Sequence, residues 1–384
     1  MMAKTTIPNK VQNALWAKAG GRCQYRGCNE LLVGDLMSGK RGGTYGFLAH
    51  IVADSGDKLK SRAPRYDPVR SPKLAKDIGN LMILCHKHHK LIDVEEVSEH
   101  PEDVLLQMKK EHEERIELNT GIGADRASHV LRFGASIGKH PVLVDTSAIF
   151  AAMPPDRHPA EHTTIDLQMK NHAAKDDEDG FYETERSNLE RLFAQRVAER
   201  VEAEDIRHLS VFALAPQPLL FELGRLLNEI VDVTVHQFHR EPKGWTWARD
   251  ADPLEFELHE PQNTGDGPIA LKLAVSAKID DDRLHSALSN KTARIWTVTV
   301  PEPHNDIVRR PEDVANFAKT MRRAYAAIQE THGVDAIVNV FPAVPVSLAV
   351  EAGRVWMPKV NPALRLFDQV RERGFIEAFT FGCQ

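Results

Sequence analysis

The alternation of hydrophobic and polar positions changes character about a third of the way along the chain. Before that point, short apolar segments are separated by long polar stretches. Asn9 to Ala19 has helical spacing and is closed by Gly20-Gly21, and Tyr45 to Val52 predicts a strand. Residues 54–77 form a loop rich in Lys, Arg and Pro. Pro101 to Leu118 predicts a helix, with proline at its first turn and acidic residues behind it.

Beyond residue 135, short apolar strands alternate with helical patterns. This alternation favours an α/β fold with helices packed on a mostly parallel sheet. Asn119 to Asp125 breaks the pattern, and we expect a linker over residues 121–135. The predicted strands are His208–Leu214, Asp232–Phe238, Leu254–His259, Ile269–Ser276, Ala293–Val300, Ala336–Phe341 and Phe375–Thr380. The predicted helices are Thr184–Ala203, Leu219–Ile230, Asp281–Leu288, Pro311–Thr331 and Val346–Ala352.

The second part of the chain contains an internal repeat. The pattern Val-Phe-x3-Pro-x2-Leu-x2-Glu-x-Gly-Arg begins at Val211 and again at Val340, 129 positions later. Matches at proline and Gly-Arg are rare by chance, so we expect two copies of one strand–turn–helix unit. Duplicated α/β halves bring the carboxyl ends of two sheets near a common axis, where ligands bind.

Composition and charge limit the classes of protein to which this chain can belong. Of 384 residues, 42% are hydrophobic and 27% charged, which is typical of globular domains. The net charge of −6 is uneven: residues 1–90 carry 16 Lys+Arg against 6 Asp+Glu, and the rest carry 33 against 49. A basic first segment suits a polyanion such as DNA. The apolar stretch Ile337–Val350 is too short and too interrupted to span a membrane. Four cysteines and no apolar leader predict a cytoplasmic protein.

Three of the four cysteines lie in two tight clusters. Cys23-x4-Cys28 and Cys85-x2-His88 supply two close pairs of thiolate or imidazole ligands. Structural zinc sites are tetrahedral and usually take two such pairs from separate segments. We therefore expect Cys23, Cys28, Cys85 and His88 to bind a structural Zn²⁺.

Residues 10–95 resemble the HNH endonuclease family, through Ala49-His50-Ile51, the Gly79-Asn80-Leu81 segment and His89 beside the zinc pairs. The resemblance implies a ββα-metal fold that hydrolyses phosphodiester bonds of double-stranded DNA. On that basis His50 would be the general base, and Asn80 would orient His50 or its loop. His89 would help to hold one divalent cation, with Mg²⁺ the expected ion.

The chain departs from the family pattern at two positions. Ala49 stands where the family often has an acidic metal ligand, so the cation would keep more water or recruit Asp54 or Asp93. His88 stands where the last zinc ligand is usually cysteine, a change that zinc tolerates. If His89 bound the zinc instead, the roles of His88 and His89 would exchange.

The region from about residue 130 resembles the SAVED domain, a sensor of cyclic oligonucleotides built from two fused Rossmann-like halves related to CARF domains. His208–Pro218, the Trp245-x-Trp247 loop and Val340–Arg354 carry this resemblance. An HNH nuclease fused to SAVED looks like an effector nuclease of CBASS anti-phage defence. In such systems, a cyclic dinucleotide or trinucleotide activates the effector, which oligomerises and degrades DNA.

We expect purines of the messenger to stack on indoles and its phosphates to meet cations. The expected ligand-binding residues are Lys243, Trp245, Trp247, Arg249, Ser276, Lys278 and Pro345. For the indoles, a core tryptophan with a surface neighbour is equally compatible with the sequence. Arg354 is as compatible with a structural role as with ligand binding, because Arg225 matches it in the other copy.

The sequence thus predicts an α+β HNH domain over residues 1–120 and an α/β SAVED domain over 136–384. The expected function is a cyclic-oligonucleotide-activated deoxyribonuclease, with a low-order oligomer, such as a dimer, that assembles further on ligand binding. One alternative is an HNH restriction endonuclease whose second domain reads modified DNA. Another is a non-catalytic zinc module that binds DNA as a regulator.

Overall fold

The chain folds into two compact units, Met1–Gly123 and Ala124–Gln384. A computed structural model describes residues 5–35, 42–54, 63–135, 145–168, 178, 180–228, 230–248, 252–263, 265–370 and 372–382. Within these residues, no helix combines the length and the apolar character needed to cross a bilayer.

The first unit is built from short elements around a small core. The buried side chains of Leu15, Ile83, Ile92 and Leu105 form the centre of this core. Its helices and strands are α1 Asn9–Lys18, β1 Val33–Asp35, β2 Gly42–Thr44, β3 Phe47–His50, α2 Ser71–Leu74, β4 Leu81–Leu84, α3 His86–Lys90 and α4 Glu102–Thr120.

Strands β3 and β4 pair in antiparallel register, with Phe47 opposite Leu84 and His50 opposite Leu81. All four residues of β4 are buried, and Cys85 at its end is the N-cap of α3. A π-helical turn, Leu91–Glu95, extends α3. This register places Phe47, at the start of β3, beside the junction of β4 and α3, and the ring of Phe47 stacks on that of His89.

The second unit contains two α/β halves. The elements of the first half are β5 Ala127–Gly134, α5 Thr146–Ala152, β6 His158–Pro159, β7 Ile165–Asp166, α6 Phe181–Phe193, α7 Glu199–Glu202, β8 His208–Leu214, α8 Gln217–Leu226, β9 Asp232–Val235, β10 His239–Arg240 and β11 Lys243–Gly244. Those of the second half are β12 Glu257–His259, β13 Ile269–Ala274, α9 Asp281–Ala287, β14 Arg294–Thr299, α10 Pro311–His332, β15 Ile337–Ala343, α11 Val346–Arg354, β16 Ala363–Val370 and β17 Gly374–Phe381.

Each half has its own mainly parallel sheet. In the first half the strand order is β6-β5-β8-β9, with β7 also beside β5, and all these pairs are parallel. In the second half the order is β12-β14-β13-β15-β16-β17. Its four central strands are parallel, and β12 and β17 are antiparallel edges. The α/β class predicted for this region is confirmed.

The sequence repeat corresponds to two equivalent strand–helix units, β8–α8 and β15–α11. Val211 and Val340 point into the large shared core, whereas Phe212 and Phe341 point to smaller clusters on the other faces of their sheets. Helices α8 and α11 pack so closely that a Cβ on Gly224 would lie 1.9 Å from the carbonyl oxygen of Val350. A Cβ on Gly353 would lie 2.0 Å from that of Phe221. The repeated glycine therefore permits the helix crossing.

The repeated Glu and Arg residues form equivalent ion pairs. Glu222 and Glu351 are buried, and each accepts hydrogen bonds from the arginine three residues later, Arg225 or Arg354. A buried carboxylate requires such a partner because burial disfavours its charged form. Arg354 thus has a structural contact that matches that of Arg225.

The structure differs from the predicted organisation of the chain at two long strands, β5 and β16. The expected linker, residues 121–135, contains β5, whose buried residues Val130, Leu131 and Phe133 pack into the first half. Strand β16 was not predicted, although it pairs with both β15 and β17. In both strands, charged or polar residues interrupt the apolar run, and the pairing with neighbouring strands decides the conformation.

Candidate functional site

Four side chains of the first unit converge from two segments. Cys23 and Cys28 lie in the loop after α1, Cys85 caps α3, and His88 lies within α3. The three sulfur atoms and one imidazole nitrogen all lie within 4.8 Å of one another. His88 Nδ1 is 3.1 Å from Cys85 Sγ and 3.8 Å from Cys23 Sγ. The structure thus brings together the four residues that the spacing singled out, and His88 rather than His89 is in this group.

The chemistry of this cluster fits a zinc ion. Four ligands held by a tetrahedral Zn²⁺ are separated by roughly 3.5–3.8 Å, close to the distances observed. Burial raises the pKa of the Cys23 thiol to about 12 and also raises that of Cys85. Burial lowers the pKa of His88, which favours the neutral imidazole that binds metals. The thiols of Cys23 and Cys85 would be uncharged without a cation, so their thiolate forms require one nearby.

A second layer of side chains fixes the ring of His88. The phenol ring of Tyr25 stacks on it, with centroids 4.1 Å apart and planes within 6°. His100 Nδ1 donates a hydrogen bond to the carbonyl of Glu96 at 2.7 Å, so its Nε2 accepts one from the Tyr25 hydroxyl at 3.0 Å. The sequence patterns did not identify Tyr25 or His100, because single aromatic residues in a short loop carry no spacing signal.

His50 stands at the end of β3 and is partly buried. Its Nε2 lies 3.0 Å from the carbonyl oxygen of Ala75. A carbonyl only accepts hydrogen bonds, so this contact fixes the tautomer in which Nε2 carries the proton. Nδ1 of the neutral ring is then an acceptor. The geometry therefore prepares His50 to take a proton at Nδ1.

Asn80 is 4% exposed and holds the segment that follows His50. Its Oδ1 accepts from the backbone N–H of Val52 at 2.8 Å. Its Nδ2 donates to the carbonyls of Val52 at 2.9 Å and Leu74 at 3.3 Å. Because the amide uses both ends, it ties the exit of β3 to the α2 segment, which also carries the Ala75 carbonyl.

His89 lies on α3 one residue after the cluster ligand. Its Nε2 is 3.5 Å from Asp93 Oδ2, and its ring stacks 5.1 Å from that of Phe47. Ala49 is buried in the core, so the position before His50 offers no ligand to a cation. Of the two acids left open by the sequence, Asp93 faces His89, whereas Asp54 Oδ2 accepts from the backbone N–H of Thr5 at 3.3 Å.

A divalent cation would find an imidazole and a carboxylate together at this position. His89 and Asp93 are each about one-third exposed, so both are accessible from solvent. Across the described ranges, they do not belong to a group of three or more His, Cys, Asp or Glu ligand atoms within 4.8 Å. Such a donor pair fits a hard cation that keeps several waters and also binds a substrate phosphate, as Mg²⁺ does.

The expected ligand-binding residues of the second unit are distributed unevenly. Ser276 and Lys278 follow β13 at its carboxyl end, and the backbone N–H of Ser276 donates to the Ala343 carbonyl at the end of β15. Pro345 is buried as the N-cap of α11. Lys243 and Lys278 are exposed. Arg249 lies outside the described residues.

The two indoles are not arranged as a stacking platform. Trp245 is 3% exposed and packs between Phe212 and Phe238, with centroids 5.2 and 5.0 Å away. Trp247 is 8% exposed and contacts the rings of His236 and His239. Both indoles are therefore core residues, the second of the two possibilities that the sequence left open, because aromatic neighbours cover their apolar surface.

The carboxyl ends of the two halves are linked by hydrogen bonds. Gln217 Nε2 at the start of α8 donates to the Val344 carbonyl at 2.7 Å. Gln237, in the first half, accepts two hydrogen bonds from Ser347 at the start of α11 in the second half. Its Oε1 is 3.1 Å from the backbone nitrogen of Ser347 and 2.7 Å from its hydroxyl oxygen. The two strand ends where α/β folds bind ligands thus adjoin each other.

Buried histidines follow β9 at the same edge. In the described structure, Nδ1 of His236 and both ring nitrogens of His239 have no hydrogen-bond partner. Burial lowers the pKa of His236 to about 3 and also lowers that of His239, so both rings are neutral at pH 7. No sequence pattern singles out these histidines, because only burial and contacts across the chain distinguish them from the others.

Comparisons with known proteins bear on the second unit. Residues 189–381 match the family model described as "SMODS-associated and fused to various effectors sensor domain" (SAVED). No curated protein matches the chain.

Solved structures of low sequence identity also match. A Cap4 SAVED/CARF-domain containing receptor from Acinetobacter baumannii, with the cyclic trinucleotide 2'3'3'-cAAA, matches at 13% identity and a TM-score of 0.43, covering 73% of this chain and 56% of that one. The same receptor with 3'3'3'-cAAA matches at 11% identity and a TM-score of 0.44, covering 73% of this chain and 55% of that one. A Cap4 SAVED/CARF-domain containing receptor from Moraxella osloensis matches at 10% identity and a TM-score of 0.38, covering 82% of this chain and 70% of that one. The chain thus spans little more than half the length of the Acinetobacter receptor.

Proposed function

This chain belongs to the SAVED family of sensor domains fused to various effectors, and from that premise we propose that it is a DNA endonuclease activated by a cyclic oligonucleotide. The sensor is the second unit, and the effector is the first. The observation that carries the nuclease assignment is the arrangement of three residues in one small unit: His50 ends β3, Asn80 directly precedes β4, and His89 follows the cluster residue His88 on α3.

The proposed reaction is hydrolysis of a phosphodiester bond. Nδ1 of His50 accepts a proton from the attacking water while the new P–O bond forms and the bond to the leaving oxygen breaks. The Ala75 carbonyl holds the Nε2–H tautomer and disperses the positive charge that develops on the ring. Asn80 keeps the backbone after His50 in place. A divalent ion held by His89 and Asp93 would supply positive charge at the scissile phosphate.

The Cys/His cluster has a structural role in this proposal. Cys23, Cys28, Cys85 and His88 would hold Zn²⁺ and thereby tie the loop after α1 to the start of α3. Structural zinc contributes on the order of 10–16 kcal/mol of binding free energy in small modules, which compensates for a small core. His89 follows His88 directly, so the zinc ligand fixes the helix that presents the catalytic residue.

The proposed messenger is a cyclic dinucleotide or trinucleotide. The Acinetobacter receptor is described with bound cyclic trinucleotides, which supports this class of ligand for the present chain. We place its site at the adjoining carboxyl ends of the two halves, with Ser276, Lys278 and Lys243 as the proposed polar contacts. Such a sensor fits a CBASS-type defence effector.

The test is a plasmid-cleavage assay with purified protein, Mg²⁺ and a panel of cyclic di- and trinucleotides. We expect the plasmid to stay intact until one panel member is added. His50→Ala should abolish cleavage while leaving zinc content and messenger binding unchanged. His86→Ala is the matched control, because His86 is an exposed histidine of the same unit, at the start of α3, and takes no part in the proposed chemistry.

Three outcomes would contradict the proposal. Cleavage that ignores every cyclic nucleotide would remove the gating. Cleavage that depends on DNA methylation would favour a restriction endonuclease. DNA binding without cleavage under Mg²⁺, Mn²⁺ and Zn²⁺ would favour a non-catalytic regulator.

Activation also requires that the messenger bind one assembly state more tightly than another. One HNH site cuts one strand, so double-strand cleavage calls for paired nuclease units. We propose a low-order oligomer that assembles further with ligand. Light scattering that showed the same mass with and without the activating nucleotide would contradict this part.

A further inference from the structure

Arg65 is a nearly buried cation in the basic loop between β3 and α2. Its side chain is 8% exposed, and all three guanidinium nitrogens donate hydrogen bonds. Nε donates to the Ile51 carbonyl at 2.6 Å, and Nη2 donates to Asp93 Oδ1 at 2.6 Å. Nη1 donates to the carbonyls of Ile92 at 2.9 Å and His100 at 3.2 Å. The sequence does not distinguish Arg65 from the other basic residues of this loop, so it does not predict this set of contacts.

These acceptors lie next to the proposed catalytic residues. Ile51 directly follows His50 at the end of β3. Ile92 and Asp93 belong to the π-helical turn that continues α3 beyond His89. One guanidinium therefore joins the strand that carries the proposed base to the helical segment that carries the proposed cation ligand.

Asp93 is shared between Arg65 and His89. One carboxylate oxygen, Oδ1, accepts from the guanidinium, and the other, Oδ2, lies 3.5 Å from His89 Nε2. Metal-binding histidines are commonly oriented by a carboxylate, and loss of such a partner lowers metal affinity about 10–100-fold. Arg65 thus contacts the backbone of Ile51, the residue after His50, on one side and Asp93, the carboxylate neighbour of His89, on the other.

The shape of arginine matters for this contact. A planar guanidinium directs its five N–H groups at fixed angles, whereas a lysine ammonium is a compact point charge. Lysine would keep the positive charge opposite Asp93 but could not reach all four acceptors at once. Arg65 also has a φ of 56°, in the left-handed region that residues other than glycine seldom adopt.

We propose that Arg65 is a positioning residue for the cleavage reaction, which locks the His50 strand and the His89–Asp93 segment into one fixed geometry. This inference rests on the proposed nuclease function. Arg65 does not touch the reacting atoms. It acts by setting the distance between the base and the cation ligands, and by holding the Asp93 carboxylate toward His89.

The test compares Arg65→Gln and Arg65→Lys in the full chain with Arg70→Gln. Arg70 is the matched control, because it makes a bidentate pair with Glu102 on an exposed surface. Binding of Mn²⁺ is measured by the electron paramagnetic resonance signal of the free ion, without DNA or messenger. Zinc content and the melting temperature are recorded for each variant. His89→Ala identifies which Mn²⁺ site is counted.

We expect the His89-dependent Mn²⁺ affinity to fall about 10–100-fold in Arg65→Gln, less in Arg65→Lys, and not at all in Arg70→Gln. The cleavage rate at saturating Mg²⁺ should fall in the same order, with one zinc retained per chain. If Arg65→Gln does not fold, Arg65→Lys carries the comparison, because it keeps the positive charge opposite Asp93, and its Mn²⁺ affinity should lie between those of the wild type and His89→Ala.

The outcomes separate the two proposals. A wild-type chain that cleaves DNA and binds Mn²⁺ through His89, with Arg65→Gln unchanged in both, would overturn the role of Arg65 alone. A wild-type chain without cleavage and without a His89-dependent Mn²⁺ site would overturn the proposed function and this inference with it.

Discussion

The crossing of α8 and α11 makes a prediction whose sign depends on tertiary structure. Gly224→Ala adds one methyl group in the middle of a helix. The new Cβ would lie 1.9 Å from the Val350 carbonyl oxygen and 2.7 Å from the Arg354 backbone nitrogen. Both are backbone atoms of the opposing helix, so no side-chain rotation relieves the contact.

The magnitude follows from two opposing effects. The shortest contact must lengthen by about 1 Å to reach the 3.0 Å that Cβ atoms otherwise keep. Overpacking of this kind costs about 1–3 kcal/mol, and a contact with backbone belongs near the upper end. Replacing glycine by alanine in a helix contributes about 1 kcal/mol of stability. The net expectation is a loss of about 2 kcal/mol.

Thermal unfolding followed by tryptophan fluorescence measures this loss. Four of the five tryptophans, Trp245, Trp247, Trp296 and Trp356, lie in the second unit, so the signal reports mainly on it. A loss of about 2 kcal/mol corresponds to a decrease of about 4–8 °C in melting temperature for a domain of this size. Ala326→Gly, at an exposed position of α10, calibrates helix propensity without a packing change.

The double variant Gly224→Ala/Gly353→Ala adds a further check. Once the first methyl group has separated the helices, the second meets a wider gap, so the combined loss should be smaller than the sum of the single losses. An increase in melting temperature for Gly224→Ala, as helix propensity alone requires, would refute the close crossing and the reasoning built on it.

Other predictions concern metal and pH. Chelation, or Cys85→Ala, should remove one zinc per chain, measured by native mass spectrometry, and should unfold the first unit while the fluorescence transition of the second unit stays unchanged. A zinc-free chain with a fully folded first unit would contradict the structural role of the cluster. His236 has a folded-state pKa of about 3 against 6.5 for the free group, so the unfolded chain binds the proton more tightly below pH 6.5. Stability should therefore fall by about 2 kcal/mol from this residue between pH 7 and pH 5, and urea unfolding of His236→Phe should lack that component.

The candidate metal ligands could be identified from the sequence because their chemistry is local. Two ligand pairs with short spacings, Cys23/Cys28 and Cys85/His88, leave little freedom in how the chain can present them. The sequence left open which of His88 and His89 is the fourth ligand of the cluster, because the two are adjacent and their distances from Cys85 along the chain differ by only one residue. The orientation of α3 separated them by turning Nδ1 of His88 toward the thiols.

The repeat in the second unit was likewise present in the sequence, including the glycine and proline positions. Its meaning for packing was not, because Gly224 meets Val350 only when two distant helices cross. The same limit applied to Trp245 and Trp247, whose spacing is compatible with a stacking loop or with a core. The positions of Phe212, Phe238 and His236 decided in favour of the core.

The sequence by itself therefore determined the α/β class of the second unit, its duplicated halves and the candidate ligand set at Cys23, Cys28, Cys85 and His88. Only the tertiary structure decided that Arg65 joins the His50 strand to Asp93, that Asp93 faces His89, and that residues 127–134 form a strand. The physical reason is range. Periodicity and spacing act over a few residues, whereas burial and hydrogen-bond partners depend on segments that become neighbours only when the chain folds.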